Sequence, residues 1–281
     1  EVAVVEHFWC ASYWKLLRPR CRRLVLDLHN VESVLYGRSA GVSGSAPGWM
    51  MQGFARASEK LERAWIPQYD TVLVTSPADE HYVRGIVPQA RPVVVPNAVP
   101  WKELPERNEA NSIVFTGHLG YHPNVAAIAW FRHQVWPLVR EEHPDLIWRV
   151  VGRSPETVAH LLKGDRRIDL VGEVPDALPY LASAKAAIVP ILSGSGTRIK
   201  ILEAWAAGTP VVSTTVGAEG LHARHKEHLL VADSSEDFAQ NLGNLLRNAT
   251  LREAIGTGGR ALLEREYAWP ACWKRLADIG L

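Results

Sequence analysis

Ser193-Gly194-Ser195-Gly196-Thr197-Arg198-Ile199-Lys200-Ile201-Leu202-Glu203-Ala204 is the stretch on which the reading of this chain turns. A β-branched run, Ala186 to Ile191, leads into it, and a helical stretch from about Thr197 to Ala207 follows, with Gly208 as its stop. Strand, glycine turn and helix in succession expose backbone amides at a helix start, where the positive end of the helix favours an anion. Arg198 and Lys200 put two cations into that first turn, against the helix dipole, and an anion between them and the amides would resolve the conflict. Glu203 falls within reach of the same cleft, and a buried carboxylate there can accept two hydrogen bonds from a ribose. The spacing alone equally fits a tight βα turn with solvated basic residues. It is not the phosphate loop of the mononucleotide-binding proteins, because Lys200 is neither preceded by Gly nor followed by Ser or Thr.

The same alternation continues on both sides. Downstream lie Val211 to Thr214 and Leu229 to Val231; upstream lie Ile113 to Thr116, Leu146 to Val151 and Ile168 to Val171. Pro123-Asn124 opens a helix running to about Glu142, and Ser154-Pro155-Glu156 reads as an N-cap followed by Pro at the first helical position. Nearer the start, Val2 to Val5, Leu24 to Leu28, Val72 to Thr75 and Pro92 to Val95 are strand-like runs with helical stretches between. Short apolar runs separated by helices indicate βαβ units and parallel sheets. The Pro- and Asn-containing stretch from Pro96 to Asn111 reads as a linker. The expectation is α/β with two Rossmann-like domains, the first incomplete: about four strands where six or so are usual, and no opening strand with its Gly-rich turn.

Composition narrows the class. The 281 residues carry 31 Lys and Arg against 30 Asp and Glu, a net charge of +1, so nothing in the overall charge calls for nucleic acid. Cys10, Cys21 and Cys272 are odd in number and lack a CxxC pair, which argues against a disulfide scaffold or a structural zinc and for a reducing compartment. No apolar run approaches the roughly 18 residues of a membrane span. The chain opens at Glu1 and its two Met are Met50 and Met51, so residue 1 reads as lying inside a longer protein.

Gly196 through Thr214, with its Gly-Thr-Arg-Ile-Lys-Ile-Leu-Glu-Ala core, resembles the donor-binding segment of glycosyltransferase family 4 (group 1), two-domain enzymes of the GT-B fold. Phe115-Thr116-Gly117-His118-Leu119, Val150-Val151-Gly152-Arg153 and Val171-Gly172-Glu173-Val174 resemble three further segments of its donor domain. Thr75-Ser76 and Val94 to Val99 resemble the last strands of its first domain, and Tyr267-Ala268-Trp269 the start of a final helix that crosses back to it. The resemblance implies residues 1–100 as a partial acceptor-side domain, 101–265 as the donor-binding domain and 266–281 as the crossing helix. It also implies a chain lacking its first stretch.

By that resemblance the chain is a retaining, metal-independent glycosyltransferase. It would move a sugar from a UDP- or GDP-sugar to a glycan or lipid-linked acceptor in bacterial polysaccharide or glycolipid synthesis. No cofactor and no metal are implied, and the place is cytoplasmic, at the inner face of a membrane. Gly117, His118, Arg153, Val174, Ser195, Gly196, Thr197, Arg198, Lys200, Glu203 and Glu219 are the donor-site candidates, and His7, Arg198 and Lys200 the catalytic ones. Family members usually carry a Glu at the place of Ser195, and an Arg and a Lys at those of His118 and Pro123. Charge accounting therefore passes the diphosphate to Arg198 and Lys200. Asp27, His29 and Glu32 cluster at another strand end. Phe8, Trp9, Tyr13 and Trp14, interleaved with Lys15, Arg18, Arg20, Arg22 and Arg23, read either as a membrane-surface helix or as a core helix with a basic end. Trp49-Met50-Met51 and Phe54 form a candidate exposed apolar patch. Two other readings stand beside the transferase: an inactive nucleotide-sugar-binding fragment, and a GT-B epimerase or phosphorylase.

Overall fold

The computed structural model describes residues 1–40, 47–100, 103–105, 108–193 and 199–281. Two parallel sheets organise the chain. The first holds β1 (Val2–Glu6), β2 (Arg23–Leu28), β3 (Thr71–Val74) and β4 (Pro92–Val94) in sequential order. Crossovers run through a 3-10 turn (Phe8–Tyr13) with α1 (Trp14–Leu17), then α2 (Glu32–Ser39) and α3 (Gly48–Trp65), then α4 (Pro77–Ile86). Alternate residues explain the packing: Val5, Leu24, Leu26, Leu28, Val72 and Val74 join Phe8, Ile66 and Val83 in one buried cluster. The opposite face is covered unevenly. Val25 and Leu73 are buried there, while Val2 and Val4 on the outermost strand stand half exposed.

The second sheet runs β10-β9-β8-β5-β6-β7, with β5 (Ser112–Thr116), β6 (Ile147–Val151), β7 (Ile168–Gly172), β8 (Ala186–Val189), β9 (Val211–Ser213) and β10 (Leu230–Val231). Its helices are α5 (His122–Trp130), α6 (Trp136–Glu142), α7 (Glu156–Leu162), α8 (Leu178–Ser183), α9 (Ile199–Ala206), α10 (Thr215–Ala218), α11 (Ser235–Arg247), α12 (Ala249–Leu262) and α13 (Trp269–Asp278). From β7 the chain returns past β5 to lay down β8 on its other side, so the winding reverses between β5 and β8. That reversal opens a crevice at the carboxyl ends of both strands. The core below it is close-packed around Phe131, Trp136, Trp148 and Trp205, all fully buried; the Phe131 and Trp148 rings meet edge-on at 4.7 Å.

Three local differences from the sequence reading have physical causes. The helix expected from Pro123 to Glu142 is interrupted by a π turn at Phe131–Val135. Pro137 has no N–H to offer the carbonyl four residues back, and the ladder widens just before it. Ser154 does not cap α7: it holds φ +61°, and Pro155 occupies the cap position. The aromatic, basic segment after β1 is not one helix, because its first turn is 3-10, burying Phe8 and Ala11 while Trp9, Tyr13 and Leu16 face outward.

Three of the contacts that tie the two halves together lie among the described residues. Val99 in the connecting segment pairs with Ala268, exchanging hydrogen bonds with Tyr267 and Trp269. At the far end of α13, the Ile279 carbonyl accepts from Arg23 Nη1 at 2.6 Å, tying the last residues to the start of β2. The third contact, Arg38 with Glu219, borders a cleft described below.

Candidate active site

The carboxyl ends of β5, β6 and β7 are stitched together by backbone hydrogen bonds. Gly117 N–H donates to Val151 O at 3.0 Å, Leu119 N–H to Arg153 O at 2.8 Å, and Gly152 N–H to Gly172 O at 2.7 Å. Such close approach needs glycine at both turns. Gly152 holds φ +151°, and a methyl group there would fall 1.7 Å from the Gly117 carbonyl oxygen. Gly117 holds φ +147°, and a methyl on it would come within 3.0 Å of Lys200 Nζ and 3.1 Å of Asn124 Nδ2. The Lys200 ammonium, carried by the first turn of α9, thus lies on the β5 turn, 5.6 Å from the centre of the Phe115 ring. Buried Asn124, at the start of α5, donates from Nδ2 to the His118 carbonyl at 2.8 Å and fixes the shape of that turn. Its role was not read from the sequence, where it showed only as a helix-opening residue.

Four of the candidates, Ser195, Gly196, Thr197 and Arg198, lie outside the described residues. Of the rest, His118 and Arg153 are exposed at the rim and Val174 is half-buried past β7. Glu203 is one turn further along α9. It lines a small pocket of about 170 Å3 with Val99, Pro100, Asp176, Leu178 and Leu181. Burial raises the Glu203 carboxyl above the usual carboxylate range, with Lys200 pulling it down and Asp176 pushing it up. One Asp176 oxygen caps α8 by accepting the Leu178 N–H at 2.9 Å.

In the first sheet, β1 and β2 end in a cluster of titratable groups. His7 holds φ +65°, unusual for a residue with a side chain, and its N–H donates to the Asp27 carbonyl at 3.0 Å. The His7 and His29 rings stack at 4.0 Å, and His29 Nε2 stands 4.0 Å from Asp27 Oδ2. Burial raises the Asp27 carboxyl, opposed by His29. Beyond lie two buried carboxylates, Glu32 and Glu62. Glu62 accepts from the Ser33 N–H at 3.0 Å and the Ser33 hydroxyl at 2.5 Å, capping α2 from outside the helix. Burial and the neighbouring Glu62 push Glu32 up to about 7, against a hydrogen bond from Trp9. The structure therefore brings His7, Asp27 and His29 together.

Glu219 is not beside Glu203. It follows α10 and forms a two-pronged ion pair with Arg38 of α2, with Arg38 Nη2 to Glu219 Oε1 at 2.9 Å. The pair stands at a separate cleft of about 670 Å3 between the two sheets. Arg38 was not singled out in the sequence. Its partner is 181 residues away, and no local pattern marks it. Among the described residues no group of three or more His, Cys, Asp or Glu side chains is arranged to hold a metal ion.

Residues 110–248 match the model of the glycosyl transferases group 1. The chain is 35% identical over 140 residues to a phosphatidyl-myo-inositol mannosyltransferase of Mycobacterium leprae, covering 47% of this chain and 37% of that protein. It is 26% identical over 164 residues to a 44.6 kDa protein of unknown function from the cps region of Klebsiella pneumoniae, covering 56% and 42%. The matched stretch thus spans less than half the length of these relatives. A sucrose-phosphate synthase from Thermosynechococcus elongatus has the same architecture, with a TM-score of 0.78 at 18% identity over 99% of this chain and 72% of that one.

Proposed function

We propose, from the match of residues 110–248 to the glycosyl transferases group 1 and from the GT-B architecture, that the chain transfers a sugar from a nucleoside-diphosphate sugar to a glycan or lipid-linked acceptor. The observation that carries the reading is Lys200 Nζ lying on the glycine turn of β5, one helical turn from the pocketed carboxylate of Glu203. A diphosphate at this switch point would meet the Lys200 ammonium and the start of α9. Glu203, with its side chain in the small pocket, would accept the two ribose hydroxyls. Residues 1–100 serve as the acceptor-side domain, 101–265 hold the donor, and 266–281 tie the two together.

As the bond between the sugar carbon and the phosphate oxygen breaks, negative charge grows on the leaving diphosphate. A preorganised cation is worth most there, because it need not reorient during the reaction. The acceptor oxygen bonds to the same carbon from the side the diphosphate leaves, and its proton passes to a phosphate oxygen, so configuration is retained without a protein nucleophile. His7, strained and stacked on His29 at the end of β1, faces the sugar in this reading. No metal is required in the proposal, since Lys200 and the helix start meet the charge. The exposed Trp9, Tyr13 and Leu16, flanked by exposed Lys15, Arg20 and Arg22, form a surface suited to the anionic headgroups around a lipid-linked acceptor.

Calorimetric titration with UDP-glucose and GDP-mannose tests the donor site. Glu203→Ala is expected to weaken whichever donor binds by roughly tenfold or more, the loss of hydrogen bonds to a charged group. Lys200→Met should weaken it similarly while leaving the free nucleoside less affected. Unaltered affinity in both variants would overturn the assignment.

A further inference from the structure

Two carboxylates that the donor chemistry does not use lie beyond the ends of β1 and β2. Glu32 and Glu62 are 9% and 1% exposed, they are neighbours, and burial raises both carboxyls above the usual carboxylate range. Two such groups buried side by side are costly unless their oxygens are well used. Glu62 Oε1 accepts the Ser33 N–H at 3.0 Å and Oε2 the Ser33 hydroxyl at 2.5 Å, and the Glu32 N–H donates to the same carboxyl. These are the opening N–H groups of α2, a helix that begins three residues after His29. Val31, its cap residue, has no side-chain oxygen to hold them, so a carboxylate from α3 does it. The Glu32 carboxyl in turn accepts from the Trp9 indole, two residues after His7.

His7 and His29 stand on separate turns, and their rings stack at 4.0 Å with 23° between the planes. Keeping that geometry requires both turns to be fixed. His7 sits at φ +65°, a conformation that persists only where its surroundings impose it. The 3-10 turn that follows it, Phe8–Tyr13, begins without a side-chain cap. The His7 N–H on the Asp27 carbonyl holds one side of this bend, and the Trp9 indole on Glu32 holds the other. Because Glu32 is the first residue of α2 and its own N–H is held by Glu62, the two links form one chain of hydrogen bonds, from α3 through the start of α2 to the turn after β1. We infer that Glu32 and Glu62 are positioning residues for the His7–His29 stack: Glu62 fixes the start of α2 behind His29, and Glu32 fixes the turn behind His7. The inference rests on the transferase reading for what the stack faces, the sugar; the placing of the two rings is a property of the fold alone.

Proton NMR of the histidine rings in the full chain decides it, with His7→Gln and His29→Gln assigning the signals. In the wild type both rings should show the upfield displacement that stacking produces. Trp9→Phe and Glu32→Leu remove the donor and the acceptor of one link, so each should abolish that displacement, and the double variant should add nothing further. Glu62→Leu should do the same through His29. Glu32→Gln keeps an oxygen to accept from Trp9 and should restore the wild-type signals, which an apolar side chain filling the same space would not do. Trp9 is half exposed, so Trp9→Phe should fold whatever becomes of the two leucine variants. Ring signals unchanged in Trp9→Phe overturn the inference, and so do signals displaced as far in Glu32→Gln as in Glu32→Leu. Under the proposed reaction, Trp9→Phe should also lower turnover roughly tenfold with donor affinity kept, since a small misplacement at the reacting centre is costly. Donor binding without turnover in the wild type would instead strike at the transferase reading and leave the ring signals to decide the positioning.

Discussion

At the scale of single residues, the chemistry concentrates where burial opposes ionisation. Glu32 titrates near 7 because it is buried next to Glu62. A carboxyl whose folded value is raised binds its proton more tightly in the fold than in the unfolded chain. Between its ordinary range and about 7 the folded state therefore holds more proton, and stability falls as pH rises through that window. Glu32→Gln should remove this dependence and raise stability at pH 8 by about 1 kcal/mol. Thermal unfolding at pH 5 and pH 8 checks it, and a decline with pH as steep as the wild type's would refute it. Glu203 shows how much of a site a sequence can carry. Its spacing from Lys200 on one helix is a local pattern, and both side chains lie at the same strand ends. The Arg38–Glu219 pair is the converse. It exists only because two domains meet, so no window of the sequence contains it.

At the scale of elements, the turns after β5 and β6 form one unit, since Gly152 can pass the Gly117 carbonyl only without a side chain. Gly152→Ala combines a left-handed φ with a 1.7 Å clash, and should destabilise the chain by several kcal/mol or abolish soluble expression. Gly53→Ala is the opposite case. It sits in the middle of α3 with nothing within 4 Å of the added methyl, and should stabilise by about 0.5–1 kcal/mol. Chemical denaturation of the two variants gives both answers, and equal effects would contradict the structure. The strands and their order of appearance are legible in the sequence because β-branched runs alternate with helical ones. The π turn before Pro137 and the 3-10 turn at Phe8–Tyr13 are not, because one missing donor or one buried aromatic decides them against the general pattern.

At the scale of the whole molecule, the two sheets differ in how fully they are covered. The second has helices over a large core of buried aromatics, while the first keeps Trp9, Tyr13 and Leu16 exposed beside basic residues, with Trp49 and Phe54 exposed on α3. No helix among the described residues is long and apolar enough to cross a membrane. Trp9→Ser combined with Tyr13→Ser should lower sedimentation with phosphatidylglycerol-containing vesicles about tenfold, as expected from removing one or two aromatic anchors. Sedimentation equal to the wild type would remove the membrane from the account. Native-state hydrogen exchange should find the slowest amides in β5, β6 and β8 and the fastest strand amides in β1.

The outermost position of β1 has a practical result. Its outer backbone groups have no neighbouring strand among the described residues, and Val2 and Val4 present bare isopropyl groups beside them. Such a rim is a template on which a further extended segment can be laid, from this protein or from another copy. A lysine at either valine would make that addition less favourable and leave the crevice untouched.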